Sequence, residues 1–319
     1  MIDAADNFAK TAVSMTTKTR NWLITLLILA SPFLIFLGFL LFWDAEPLPP
    51  IAPLPNPNGY NDLVKAGQMI TSGPGDYQQL NQLNQQRLGE LVAANAEALQ
   101  LLRAGLSNQC RVPAQQLSQT DMANHLNELA GLKRLAWVLA AEGKLDEIEN
   151  RPNDAAKSYL DVIHFGNESA RGGVLIDELV GTAIEAIGVA NLQKLVGQLD
   201  AKSCHESAAA LETLDSQKQT WQQVVQQERD WSRRAFPGLG NELVRLISRN
   251  SLNKAFQKAE EKFNNQQTKM RQLTVALAAR AYELDKGHPP ANIADLVPEY
   301  LKAIPQDPFT GTNLVYSPR

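Results

Sequence analysis

An all-α protein is predicted from three observations. Beyond Tyr60, apolar residues recur at three- and four-residue steps almost throughout. Glycine and proline gather at spaced joints, and alternating apolar–polar stretches are nearly absent. The architecture expected from these patterns is a single N-terminal transmembrane helix, a proline-rich stalk, a helical bundle or short α-solenoid, and a small C-terminal turn module. Its divisions fall at 1–21 (cytoplasmic tail), 22–43 (transmembrane signal anchor), 44–58 (proline-rich linker), 59–270 (helical ectodomain) and 271–319 (C-terminal module).

From Trp22 to Trp43 no side chain ionises. As a helix the run would cover about 33 Å, enough for a hydrocarbon core of about 30 Å. Indole rings at both ends suit the headgroup region, and a bilayer helix tolerates Pro32 as a kink. Lys10, Lys18 and Arg20 precede the run, whereas Asp44 and Glu46 follow it. The positive-inside rule therefore places residues 1–21 in the cytoplasm and the body outside. Trp43 stands where a cleavage site needs a small side chain, so an uncleaved anchor is expected.

Residues 47–57 read PLPPIAPLPNP. Prolines fix φ and favour extended predecessors, so this stretch reads as a polyproline II spacer, with a docking site for a proline-binding domain as the alternative. Helices are predicted over 60–71, 78–105, 115–143, 152–166, 173–199, 205–234, 239–286 and 293–302. The joints carry Gly73-Pro74-Gly75, Pro113, Pro152, Gly172-Gly173, Pro237-Gly238 and Gly287. Leu314-Val315-Tyr316 is the one candidate strand.

The 173–199 helix is the most apolar and is predicted to lie at the centre of the body. Gly181 and Gly188 share a face, where missing side chains let a neighbour approach. Asp177, Glu178 and Glu185 punctuate the helix and argue against a second membrane span. Glutamine and asparagine cluster at 78–86, 217–227 and 264–267, read as solvated faces. In the tail, Leu273, Leu277, Ala281 and Leu284 form one helix face. Asn292 can cap a turn with Asp295, and Leu296, Tyr300, Leu301, Ile304 and Phe309 are predicted to fold back as an apolar clasp.

Of the 319 residues, 44% are hydrophobic and 20% charged, an ordinary globular balance. The formal charge of -4 offers no basic field, which argues against nucleic acid as a partner. His125, His164, His205 and His288 form no pair at metal-gripping spacing. Asp161-x-x-His164 and His125-x-x-Glu128 are half motifs, so these histidines are expected as surface or capping groups with no metal. No nucleophile elbow, Walker loop or dinucleotide fingerprint occurs, so neither a cofactor nor a catalytic residue is assigned. An envelope enzyme would instead announce itself as a polar pocket gathering carboxylates with shifted pKa values. Cys110 and Cys204 both fall in predicted joints outside the membrane; a disulfide between them and two separate thiols are both open.

Two segments carry resemblances. In residues 138–166, Gly143, Ala155 and Tyr159 resemble the turn glycine, small residue and aromatic residue of a degenerate tetratricopeptide hairpin. The tail, with Gly287, Pro290, Pro305, Asp307, Pro308, Phe309 and Gly311, is similar to the segment of type II secretion major pseudopilins that passes from a long helix into a P-x-D-P-[FW]-x-G turn. Anchor, body and tail together resemble bacterial single-pass membrane proteins of uncharacterised activity. That resemblance implies an inner-membrane protein with its C-terminal domain periplasmic or extracytoplasmic. Its expected partners are membrane lipid through 22–43 and an unidentified envelope protein. A protein-interaction or scaffold role is the leading expectation, an accessory part of a secretion or pilus-like apparatus the alternative, and an envelope enzyme the third.

Overall fold

The computed structural model describes residues 22, 30–33, 48–70, 72–118, 120–237 and 239–315. The chain divides into two units, Met1–Pro49 and Pro50–Arg319. In the first, Trp22 and residues 30–33 are helical, and the remainder of the expected 22–43 span lies outside the described residues, as do 1–21 and 44–47. Among the described residues, no helix is long and apolar enough to cross a membrane.

The second unit is all-α. Helix α1 (Gly59–Met69) starts where the Asn58 side-chain oxygen accepts the Tyr60 amide, and it buries Tyr60, Leu63 and Ala66. The run predicted as one helix over 78–105 is three: α2 (Tyr77–Gln82), α3 (Gln85–Ala94) and α4 (Ala96–Leu106). The breaks come from polar side chains that compete for backbone groups. After an extended Leu83, the Asn84 side chain accepts the Arg87 amide at 2.9 Å and starts a new helix. Asn95 donates to the Leu91 carbonyl at 2.8 Å and ends α3.

A short 3-10 turn (Ala114–Gln116) leads to α5 (Met122–Ile148), α6 (Pro152–Ala170) and α7 (Leu175–Leu195). Gly143 of α5 lies against the Tyr159 ring of α6, where an added Cβ would stand 2.6 Å from a ring carbon. The predicted centrality of the 173–199 helix holds. Helix α7 packs along α6 so closely that a Cβ on Gly181 would meet the Gly166 carbonyl oxygen at 2.6 Å. Ile184, Ile187 and Leu192 of α7 are buried in the main core, each contributing about 1.5–3 kcal/mol of transfer free energy.

The helix predicted over 205–234 is two, α8 (Ala201–Gln217) and α9 (Trp221–Ala235). Lys218 is extended, and Thr220 opens α9 with a capping box to Gln223. Helix α10 (Leu239–Lys286) runs unbroken for 48 residues. Its second half joins the main core through Met270, Leu273, Leu277 and Ala281. Among the described residues, its middle packs a small satellite core of Trp221, Val224, Ala259 and Phe263.

The last 3-10 turn (Ile293–Leu296) forms by the capping box read from Asn292 and Asp295. Leu296, Tyr300 and Leu301 are buried as expected, but Leu284 and Phe309 are exposed. The Asp307 carboxylate accepts the amides of Phe309 and Thr310, closing a turn that leaves the Phe309 ring outside the clasp. In place of the expected strand, the described residues hold one antiparallel bridge, Gln306 to Asn313; Tyr316 lies outside the described residues. The proline-rich segment is also less free than a spacer. Leu54 and Pro55 are half-buried, beside Arg111 and Gly172.

Candidate functional site

Four joints meet at one end of the helical body and enclose an open polar cleft of about 720 Å³. The first two are the linker end and the α4–α5 joint. Asn58 ties them together: its Nδ2 donates to the Arg111 carbonyl at 2.8 Å and its Oδ1 accepts the Arg111 amide at 2.9 Å. The third is the α6–α7 joint, which receives the Val112 amide on the Arg171 carbonyl at 2.9 Å. Here Gly172 has φ +75°, and a Cβ would collide with the Arg111 stem at 2.9 Å, so both the backbone and the space require glycine.

The α8–α9 joint closes the cleft. Gln219 Nε2 donates to the Ala170 carbonyl at 3.0 Å and to Glu178 at 2.7 Å, while its Oε1 accepts the Gly172 amide at 3.2 Å. Arg171 forks onto Glu168 and donates from Nη1 to the Gln217 carbonyl at 2.9 Å. Lys218 turns inward; its Nζ donates to both Glu185 oxygens at 2.6 and 2.7 Å and lies 4.9 Å from the centre of the Phe263 ring. The side chains of Lys218 and Glu185 are each 2% exposed. Burial pushes the Glu185 carboxyl up from its ordinary value. Burial alone would lower the Lys218 ammonium, but the charges of Glu185 and Glu178 more than reverse this.

Behind this layer sits a second buried pair. His125 Nε2 and Asp177 Oδ1 are 2.6 Å apart, and the other Asp177 oxygen accepts the Val174 amide at 2.7 Å, capping α7. Burial opposes protonation of His125, yet the hydrogen bond and charge of Asp177, helped by Glu128, leave its pKa above the ordinary value. Among the described residues, the buried Tyr60 hydroxyl nearby has no hydrogen-bond partner, and burial together with Asp177 and Glu128 raises its pKa.

The candidates named from the sequence scatter, and several expectations change. His125 is 1% exposed and works inside the core, not at the surface. His164 is half-buried on the cleft wall, where burial holds its ring below the ordinary value; Asp161 of its half motif is turned to Arg103 at 2.9 Å. His205 reaches the Glu299 carbonyl at 3.1 Å and His288 is exposed. The Cys110–Cys204 bond is not formed; both thiols are free and buried. Cys110 packs at the cleft by the Gly105 carbonyl, and Cys204 by the Val196 carbonyl at the start of α8. Burial pushes Cys110 up to about 12 and Cys204 up to about 11, which keeps both as unreactive thiols. Among the described residues, no three His, Cys, Asp or Glu side chains are grouped to hold a metal.

Sequence reasoning passed over Arg111, Glu168, Arg171, Lys218 and Gln219, the residues that build the cleft. The signal for the last two was present: Thr220-x-x-Gln223 is a capping box, which marks a helix start inside the run read as continuous. The glutamine cluster at 217–227 is correspondingly not only a solvated face, since Gln217, Gln219 and Gln223 line the cleft. Chemically, the cleft pairs its acids with its bases. Glu168 and Arg171 neutralise each other, as do Lys218 and Glu185, and Arg111 is left with no side-chain hydrogen bond or ion pair among the described residues. No family model, curated protein or solved structure matches the chain.

Proposed function

We propose that this protein is a membrane-tethered, non-enzymatic interaction module on the outer face of a bacterial inner membrane, and that the cleft takes its partner. The tether is the apolar run 22–43, anchored in lipid, and the partner is another envelope protein. One observation carries the binding role: an open cleft whose carboxylates are already engaged by fixed cations. The Glu168 carboxylate is held by Arg171, and Glu185 lies buried behind Lys218. A general base needs a carboxylate or imidazole within reach of a substrate proton at a suitable pKa. Among the described residues, His164 is the one group in the cleft that could meet this, and it has no orienting hydrogen bond there. Binding is therefore favoured over catalysis.

A second reading, an accessory of a secretion or pilus-like apparatus, draws on the tail, where Asp307 closes its turn and Gln306 bridges Asn313. Crosslinking in native membranes, followed by affinity purification and mass spectrometry, tests both. Capture of an envelope protein is the expected result. Subunits of a secretion apparatus would favour the second reading, and recovery of no protein across several crosslinker lengths would overturn the interaction role.

A further inference from the structure

We propose that the cleft is a receptor for the free C-terminal carboxylate of an extended peptide, with Arg111 as the group that holds it. The inference rests on the interaction reading and names the chemistry of the partner. Its first support is charge. The other ionic side chains on the wall are closed on one another, so among the described residues the cleft presents one uncompensated cation, Arg111, whose stem lies over Gly172. A guanidinium binds a carboxylate through two parallel N–H donors. A phosphate near two negative charges would call for more than one free cation. Among the described residues, no Phe, Tyr or Trp lines the cleft, which removes the stacking platform that a nucleobase needs.

The second support is the pattern of amides. Gln109 stands on the wall formed by the α4–α5 joint, and Gln217 and Gln223 line the cleft from the last residue of α8 and the first turn of α9. Each carries donor and acceptor together, the complement of peptide N–H and C=O groups. The Gln109 and Gln217 side chains make no hydrogen bond among the described residues, and Gln223 uses its Oε1 on the Thr220 amide, leaving Nε2 open. The third support is size. A cleft of about 720 Å³ falls in the range of sites that enclose a small ligand or a few residues, and its open mouth lets a longer chain leave.

Such a carboxylate could end a partner protein or a free oligopeptide. Fluorescence polarisation on the purified full-length chain tests the site with a pool of N-terminally fluorescein-labelled hexapeptides, as free acids and as C-terminal amides. The free acids should bind at least about tenfold more tightly, a difference of about 1.4 kcal/mol. Arg111→Ala should reduce the acids to the level of the amides without moving the melting temperature. Gln217→Glu, at the exposed end of α8, removes one peptide donor for both forms and adds charge repulsion for the acids alone. It should therefore weaken the acids about fivefold or more beyond its effect on the amides, which keeps the test decisive should the arginine variant misfold. Equal binding of acids and amides, indifference to both substitutions, or tighter binding of an amidated phosphoserine peptide would overturn the proposal. The same hexapeptides fused to the C-terminus of a carrier protein separate the two sources. Retained affinity supports a protein terminus, and affinity confined to the short peptides supports a free oligopeptide. No peptide binding combined with intact membrane crosslinks would reject the carboxylate site alone, whereas loss of both would remove the interaction role as well.

Discussion

Helix α7 and the middle of α10 treat their polar residues in opposite ways. In α7, Asp177, Glu178 and Glu185 are all buried, at 0%, 3% and 2% exposure. Each has a partner from elsewhere: His125 from α5, Gln219 and Lys218 from the α8–α9 joint. In α10, residues 251–255 are exposed, Leu252 among them at 42%, and the neighbouring turns pack a satellite core shared with α9 and with Leu175 and Leu179 at the start of α7. Charge inside a helix is thus no guide to its exposure. What matters is whether another segment supplies the compensating group, because an unpaired buried charge costs far more than the same charge in water.

The largest expected effect tests that contrast directly. Lys218→Ala strands Glu185 and Glu178 in the core and should cost about 3–5 kcal/mol, read as a lower thermal midpoint of the purified full-length chain. Gly181→Leu drives a side chain into the Gly166 carbonyl and should cost about 1–3 kcal/mol, with the same readout. An unchanged midpoint for Lys218→Ala would mean that the buried pair with Glu185 is not what holds the α8–α9 joint to α7. The same result for Gly181→Leu would mean that the α6–α7 seam is looser than the distances describe.

A smaller, pH-dependent effect belongs to His125, which faces Asp177 and Glu128. Its folded pKa lies above the ordinary value, so the folded state binds the extra proton. The stabilisation is complete below about pH 6.5 and is lost as pH rises through the folded pKa. The wild type should therefore lose its advantage over His125→Gln as pH climbs from about 6 upward. Glu185, also raised, pulls the stability of both proteins in the same direction, so the difference between the two curves isolates the histidine. A difference that grows with pH would contradict the assignment. Smallest of all, Leu252→Ala in the exposed part of α10 should stay within about 0.5 kcal/mol of wild type. A loss comparable to that of Lys218→Ala would collapse the comparison between the two helices.

Much of the local structure was legible. The apolar run over 173–199 marked the central helix, and Gly181 marked the close approach to a neighbour. Asn292 and Asp295 marked their own turn, and Gly287, with φ +79°, marked the end of α10. These are signals between residues a few positions apart, set by helix period, capping hydrogen bonds and the freedom of glycine. The breaks at Asn84, Asn95 and Thr220 were of the same kind but were hidden under an unbroken apolar register. Leu284 and Phe309 show the reverse error, apolar residues in register that the fold leaves in water.

The sequence by itself determined the helical class, the order of its longer helices and most of the faces they bury, because backbone hydrogen bonding and apolar periodicity act over one or two turns. Tertiary structure alone decided that His125 meets Asp177 across 52 positions, that Lys218 meets Glu185 across 33, and that Asn58 pins Arg111 across 53. Those pairings depend on how the joints between helices come together at one end of the body. Neither periodicity nor spacing carries that information, since the cost of burying each charge is offset by a group whose distance along the chain is arbitrary.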